Sequence, residues 1–373
     1  MKKRILIVRR YSGYGGIEHQ IESIVSGLLE QGWAAWFFSD RISPLSKSLE
    51  DMGATVIIEP FEGYVSTAKK IGKVCRQQDI QLVQSHMLPE SFYCRIAKLM
   101  MPSLKHVFRI HTYIDCAHIP EWKKRCYHLA CWLTDFLVTH YVSINDYNVT
   151  EMRKRTHLSS SKISVVHDIV RPLKRNDVDC PYKNGHVAMI ANFVDFKGHD
   201  VLLDGLRLLK ARGMNVVCHL IGAVPGFGTP AEDRSRLDIV EKTILEHGLT
   251  EQIVMEGYQS DIAKAVASCG MVVLPSDAEG TPNVLLEGML LNKIVIASAV
   301  GGVPEFIREG ETGFVHPPRD GQAFADALMR AYSTPEEELE KIAAQALELV
   351  QKEYSRANLI QQLTDVYQEL DII

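Results

Sequence analysis

Short apolar runs, each about one strand long, alternate with amphipathic stretches along the whole chain, and the series is laid down twice. A strand that is apolar along its length needs cover on both faces, and crossover helices supply it, so this alternation calls for parallel sheets in an α/β protein. Candidate strands of the first series are Arg4–Val8, Ala34–Phe38, Ala54–Ile58, Leu82–Ser85, His106–Ile110, Tyr141–Ser143 and Ile163–Val166. Helical patterns such as Gly16–Leu29 and Val65–Arg76 lie between them. Residues 171–185, with two prolines, two asparagines, a glycine and no sustained apolar run, interrupt the alternation. The second series has strands at His186–Ala191, Val216–Ile221, Gln252–Met255, Met271–Leu274 and Ile294–Ala297, with helices including His199–Ala211, Ala231–His247 and Pro282–Leu291. The expectation is two doubly wound α/β domains, 1–170 and 186–354, joined by a linker at 171–185. A closing helix, 355–373, is expected to pack back on the first domain. Two strand-edge crevices would then face one cleft.

Composition removes several classes. At 373 residues, 46% apolar and 23% charged, the chain reads as an ordinary globular protein. No apolar run reaches ~18 residues, so no spanning helix is expected. Met1 to Arg4 followed by Ile5 to Val8 reads as a first strand rather than a signal peptide, because Arg9-Arg10 follows at once. The eight cysteines include no C-x-x-C pair and read as reduced thiols of a cytoplasmic protein. Charge is uneven. Residues 1–170 carry 22 Lys and Arg against 16 Asp and Glu, a net of +6, and the remainder 19 against 30, a net of −11. The basic half suggests an acidic partner or an anionic membrane surface, or else two domains that differ by chance. Trp122-Lys123-Lys124-Arg125, leading into Cys126–Leu133 with Arg95, Lys98, Lys105 and Arg109 nearby, is the candidate membrane segment. Its plain alternative is a core helix with a solvated basic face. No nucleic-acid partner is expected.

The chemistry concentrates in Ser276-Asp277-Ala278-Glu279-Gly280-Thr281-Pro282-Asn283-Val284-Leu285-Leu286-Glu287. The apolar run Met271 to Leu274 leads into it as a buried strand, Thr281 reads as a helix N-cap, and Pro282 reads as the first helical residue. Glu279 therefore falls on a loop at the carboxyl end of a strand, and Glu287, eight positions on, falls within a helix. Ligands of open α/β sheets bind at that edge. Each domain opens with a strand, a glycine-containing loop and a helix. In the first, Ser12-Gly13-Tyr14-Gly15-Gly16 precedes the helix. These glycines suit either phosphate binding or a tight turn, and their spacing fails the dinucleotide fingerprint G-x-G-x-x-G. Glu18 is explained by the helix dipole. In the second domain, Lys197-Gly198 sits at the mouth of the first strand, where a lysine can neutralise a diphosphate leaving group. Gly222 and Gly257 end strands and fit close approach to a ligand or an ordinary turn. His86 and His111 end strands of the first domain, and Arg10 lies beside its glycine loop. Asp177-Val178-Asp179 is taken as chance, and no metal site is expected.

In this order and on these elements, the residues resemble the family 4 retaining glycosyltransferases. These have the GT-B fold of two Rossmann-like domains facing a cleft. The resemblance covers nearly the whole chain. It rests on the E-x7-E pair Glu279 and Glu287, on Lys197-Gly198-His199-Asp200, on Gly15-Gly16-Ile17-Glu18, and on Gly301-Gly302-Val303-Pro304-Glu305 followed by Gly313-Phe314-Val315. It implies roles for each. Glu287 would accept hydrogen bonds from the donor ribose. Glu279 would hold hydroxyls of the transferred sugar, helped by amides near Gly280, Thr281, Pro282 and Asn283. Lys197 and the Gly15 and Gly16 amides would stabilise the departing diphosphate, His111 would contact the donor sugar, and Gly222 would line the donor. His86 and Arg10 fall on the acceptor side. Two positions depart from the family pattern. Asn192 stands where an arginine is usual, and His167-Asp168 stands where Asn-Gly is usual.

The resemblance thus implies retaining transfer from a nucleotide-diphosphate sugar, UDP ahead of GDP, with no metal and no other cofactor. The acceptor would be a glycan or lipid-linked glycan of a cell-surface polysaccharide, lipopolysaccharide or capsule. The enzyme would be cytoplasmic and peripheral at the inner face of the membrane. Rival readings are a nucleotide-sugar epimerase on the same fold, a catalytically weak partner subunit, and a nicotinamide oxidoreductase. The failed glycine spacing argues against the last.

Overall fold

A computed structural model describes residues 3–10, 16–111, 120–156, 162–173, 180–226 and 232–370. The chain divides into two compact units, Met1–Ile169 with Glu353–Ile373, and Val170–Lys352. Unit 1 runs β1 (Arg4–Val8), α1 (Gly16–Glu30), β2 (Ala34–Ser39), α2 (Pro44–Asp51), β3 (Thr55–Ile58), α3 (Tyr64–Gln77), β4 (Leu82–Ser85), α4 (Leu88–Met100), β5 (Lys105–Ile110), α5 (Glu121–Leu133), β6 (His140–Ser143), α6 (Asp146–Thr156) and β7 (Ile163–Val165). Unit 2 runs β8 (His186–Ile190), α7 (His199–Ala211), β9 (Val217–Ile221), α8 (Ser235–Glu246), β10 (Ile253–Gly257), α9 (Ile262–Ala265), β11 (Met271–Leu274), α10 (Asn283–Leu290), β12 (Ile294–Ser298), α11 (Val303–Phe306), β13 (Phe314–His316), α12 (Gly321–Ser333) and α13 (Glu336–Glu353). The last helix, α14 (Arg356–Glu369), returns to unit 1.

Both expected doubly wound sheets are present, and every strand pairing is parallel. The orders are β3-β2-β1-β4-β5-β6-β7 and β10-β9-β8-β11-β12-β13. In each sheet the winding reverses at the first strand, between β1 and β4 and between β8 and β11. Ligands bind at such switch points, outside the carboxyl ends of the strands. The loops after these four strands are the ones that carry Arg10, His86, Lys197 and Glu279.

The central strands are apolar because they are covered on both sides: Ile5, Leu6, Ile7 and Val8 of β1 are all fully buried. On one face, Ile5 and Ile7 join Ile21, Ile24 and Leu28 of α1 and Leu359, Ile360, Leu363, Val366 and Tyr367 of α14 in one core. Gly27 lets α1 and α14 touch, since a Cβ there would collide with Ile360. On the other face, Leu6 and Val8 pack with Ala68, Ile71 and Cys75 of α3 and Cys94 and Ala97 of α4.

Four local features differ from the sequence reading. The strand β13 is only three residues long, below what periodicity can register. The helical pattern placed at 355–370 is preceded by a separate long helix, α13. Helix α10 starts at Asn283, with Pro282 in its N-cap position in place of Thr281. Residues 180–185, expected within a linker, pack on unit 2: Tyr182 is buried, its hydroxyl accepts from Asn292, and Glu336 accepts from its backbone N–H. Asp177 and Asp179 lie outside the described residues.

Leu363→Ala should lower the stability of unit 1 by about 2–5 kcal/mol, the range for emptying a packed leucine site. All four tryptophans, Trp33, Trp36, Trp122 and Trp132, precede residue 170, so the urea transition followed by tryptophan fluorescence reports on unit 1. An unshifted transition would mean that α14 is a passenger on that core.

Candidate active site

In unit 2, three loops at the carboxyl edge of the sheet are held together main chain to main chain. The first, after β8, turns through a short 3-10 segment, Asp195–Lys197, into Gly198 at φ 76°. A Cβ on Gly198 would fall on the Pro275 carbonyl of the loop after β11. That φ and that contact both demand glycine. The Asp277 N–H donates to the Phe196 carbonyl at 2.8 Å, which ties the same two loops a second time. The third loop, after β12, presents Gly301 at φ 56° against the Glu279 carbonyl, and the Gly302 N–H donates to the Gly280 carbonyl at 2.9 Å. Gly222 is also fixed by backbone, because a Cβ there would strike the Ala191 carbonyl. The close approach that suits Gly222 is made to the protein itself, as is that of Gly198. Gly257, at φ 64° with open space around it, ends β10 just after a register shift against β9.

This lacing sets Lys197 Nζ 2.7 Å from Glu279 Oε1, joining two residues that the sequence separates by 82 positions. The lysine also lies over the Phe196 ring, 5.2 Å from its centroid. Glu287, on the first turns of α10, is 4% exposed. Arg171 donates to its Oε1 from Nε at 3.3 Å and from Nη2 at 3.2 Å. Burial pushes the Glu287 pKa up, and the Arg171 charge and hydrogen bond partly oppose that rise. Arg171 was read as linker, and nothing in its neighbourhood signals a pairing 116 residues away. Pro282 makes no side-chain cap, and the N-terminus of α10 follows directly on the loop that bears Glu279. Asn192 accepts from the Ala223 N–H at 3.3 Å and supplies no charge where an arginine was expected. His199 is a core residue, stacked on Phe193 with its pKa lowered to about 4 by burial and by the Arg236 charge.

In unit 1, Gly15 lies outside the described residues, and Gly16 is the first residue of α1. Arg9, at the end of β1, is buried with Glu18 of α1 and Glu90 of α4, at 3.0 and 3.1 Å. Glu18 thus has a local partner beyond the helix dipole. Arg10 is exposed, and its backbone N–H donates to Glu90 at 2.9 Å. His86 and His111, placed by sequence at a ligand-facing edge, are 0% and 5% exposed. They stack with centroids 5.3 Å apart, and His86 Nδ1 lies 3.0 Å from His111 Nε2. Gln84 Nε2 holds the other nitrogen of His86 at 2.9 Å, and Asp168 Oδ2 holds the other nitrogen of His111 at 3.3 Å. Arg109, fully buried, donates to Asp168 Oδ1 at 2.7 Å. Burial opposes the charge on Asp168, but His111 and Arg109 outweigh it and bring its pKa down to about 2. Burial holds His86 well below the ordinary histidine range, and the nearby Arg109 and Arg9 charges add to that. Among the described residues no group of three or more His, Cys, Asp or Glu is placed to hold a metal ion.

Residues 170–348 match the family model described as glycosyl transferases group 1. This match, which spans just under half of the chain, overturns the assignment to family 4. Alpha-D-kanosaminyltransferase of Streptomyces kanamyceticus is 31% identical over 178 residues, which are 47% of this chain and 43% of that protein. The amylovoran biosynthesis glycosyltransferase AmsK of Erwinia amylovora is 27% identical over 222 residues, 57% of this chain and 52% of that protein. The chain spans about half the length of these relatives. The crystal structure of Anabaena HepE in complex with UDP and glucose superposes with a TM-score of 0.82 at 17% identity, over 98% of this chain and 100% of that chain. The two units have the GT-B fold of glycosyltransferases.

The raised pKa of Glu287 has a thermodynamic consequence. An acid whose pKa is higher folded than unfolded stabilises the fold below its unfolded pKa, and that stability is lost as pH rises through the folded pKa. Glu287→Gln cannot ionise. Its thermal midpoint should therefore gain on the parent's as pH rises from about 4 to about 7. A gap that narrows over this range would show that the Arg171 pair, not burial, dominates.

Proposed function

We propose that the chain is a glycosyltransferase that moves a sugar from a nucleotide-diphosphate donor, UDP ahead of GDP, to a glycan or lipid-linked glycan acceptor. The observation that carries this reading is the Lys197–Glu279 pair at the mouth of the switch point between β8 and β11, with Glu287 buried one helix turn away. A departing diphosphate is a concentrated anion. Lys197 and the positive end of α10 can stabilise it without a metal. When the phosphate takes the lysine's charge, Glu279 loses a partner and becomes an acceptor for sugar hydroxyls. Glu287, held at one oxygen by Arg171, is suited to accept from a ribose diol. His111, whose Nε2 is an acceptor when Nδ1 donates to Asp168, exchanges its His86 partner for a sugar hydroxyl. The departing phosphate takes the acceptor's proton, and transfer proceeds with retention. Support for UDP comes from HepE, whose structure holds UDP and glucose, and support for a polysaccharide product comes from the amylovoran enzyme.

Incubation with a panel of nucleotide sugars, followed by NMR, should show donor consumption with the anomeric configuration retained and undiminished by EDTA. Lys197→Ala and Glu287→Ala should each lose ~10²-fold or more in turnover, the scale for removing charge stabilisation from a transition state. Near-parental rates in both variants would sink the site assignment.

We also propose that unit 1 seats on an anionic membrane surface through α5. That helix buries none of its residues, and Trp122, Leu129, Trp132 and Leu133 are each more than half exposed, as is Phe136 just beyond it. Lys123 and Arg125 are exposed among them. Arg95 and Arg109, which the sequence grouped with this segment, are buried and take no part. Arg95 is spent on Thr134 and on the Cys131 carbonyl. Among the described residues no helix is long and apolar enough to cross a membrane. Each basic residue at an anionic surface contributes about 1 kcal/mol and is screened by salt. Cosedimentation with phosphatidylserine vesicles should fall as salt rises, and Trp122→Ala with Trp132→Ala should weaken it further. Equal recovery of both proteins at every salt concentration would dispose of the docking surface.

A further inference from the structure

The histidines of unit 1 belong to a hydrogen-bonded chain that runs without a break from α14 to the segment where the polypeptide leaves for unit 2. Its members are Tyr367, Gln84, His86, His111 and Asp168. All are at least nine-tenths buried. The chemistry of its last member fixes the direction of the whole. An ionised carboxylate accepts and cannot donate, so His111 carries its hydrogen on Nδ1. A neutral His111 then accepts at Nε2, which requires the hydrogen of His86 to be on Nδ1. His86 in turn accepts at Nε2 from the Gln84 amide, whose carbonyl accepts from the Tyr367 hydroxyl. Each donor finds one acceptor, and nothing in the chain is left over. The reverse order would need a doubly protonated His111, donating from Nδ1 to Asp168 and from Nε2 to His86.

We propose that Asp168 is a positioning residue, holding His111 in the Nδ1–H tautomer and in one ring orientation so that Nε2 is an acceptor, met here by His86 and open to a sugar hydroxyl only when that partner is exchanged. Arg109 makes this possible by occupying the other carboxylate oxygen at 2.7 Å, which leaves Oδ2 to the histidine. The guanidinium also donates to the Val166 carbonyl at 3.1 Å, so the segment bearing Asp168 is fastened to β5 by main chain as well as by side chain. An asparagine at 168 could both donate and accept and would leave the tautomer of His111 undetermined. This gives a reason for the aspartate in His167-Asp168, where the sequence leaves the pattern it otherwise resembles. Tyr367 closes the far end. Without its hydroxyl, the Gln84 amide loses the partner that sets which of its two ends meets His86.

The kinetic side of this proposal rests on the sugar contact proposed for His111, whereas the tautomer does not. The test uses the full chain labelled with nitrogen-15, with His111→Gln identifying the His111 signals in imidazole correlation spectra. The parent should show His111 protonated at Nδ1 and bare at Nε2. Asp168→Asn should lose that pure tautomer and lower kcat by roughly ten- to hundredfold, the usual cost of removing a partner that orients a site residue. UDP affinity, which depends on unit 2, should stay within about twofold, because the lost interaction is not one of ground-state nucleotide binding. Asp168→Glu should restore the tautomer, and it also serves if the asparagine variant does not fold. Protonation of His111 at Nε2 in the parent, or an unchanged tautomer in Asp168→Asn, would overturn the proposal. A parent that consumes no sugar nucleotide would defeat the glycosyltransfer reading instead, and the spectra would still decide the role of Asp168.

Discussion

Main-chain contact between loops is the constraint on which unit 2 depends. Parallel strands covered on both faces leave chemistry only at their carboxyl ends, and there the loops must be precise without help from regular pairing. Here the precision comes from absence of side chain. Gly198 rests on the Pro275 carbonyl, Gly301 on the Glu279 carbonyl and Gly222 on the Ala191 carbonyl. Three turns after β8, β11 and β12 thereby move as one body. The ion pair of Lys197 and Glu279 follows from that, since the lysine belongs to the first turn and the glutamate to the second.

The two units solve the problem of buried charge differently. Unit 2 pairs each carboxylate of its site with one part-exposed base: Glu279 with Lys197, and Glu287 with Arg171. Such pairs can be exchanged for a ligand because water and the ligand compete on similar terms. Unit 1 buries its charges outright. Arg9 faces two carboxylates, and Arg109 faces one, with its Nε and Nη1 unpartnered among the described residues. Removing one member of a buried set strands the others, so these groups are suited to fixing geometry and not to exchange.

The sheet architecture was legible because it is written in local periodicity. Ile5 to Val8 and Met271 to Leu274 are continuous apolar runs whose burial on both faces follows from composition alone. Glu279, Glu287 and Lys197 were legible because their type and spacing sit next to turn and cap signals. The contacts that give them meaning were not. Arg171 reaches Glu287 across 116 residues, from a stretch whose prolines and asparagines read as linker, and Asp168 reaches Arg109 across 59. Strand order is equally silent in sequence: nothing in β4 or β11 announces that it will lie beside the first strand of its sheet. The histidines were placed on the correct strand ends, but their burial and their hydrogen bonds to Gln84 and Asp168 only the folded chain displays.

The return of α14 to unit 1 has a further consequence for synthesis. Unit 2 is one continuous segment, Val170–Lys352, whereas unit 1 is split around it. Leu359, Ile360, Leu363, Val366 and Tyr367 are part of the same core as β1 and α1. On the ribosome the earlier half therefore lacks a wall of its own interior until the later half has already emerged. Domains generally fold in the order they are made. This chain inverts that order, because the second unit can close its core while the first still waits for its final helix. The part of this core that α14 covers, beside Gly27 of α1, stays open for the time that it takes to translate unit 2. That interval is the chain's period of greatest exposure to aggregation and to chaperones.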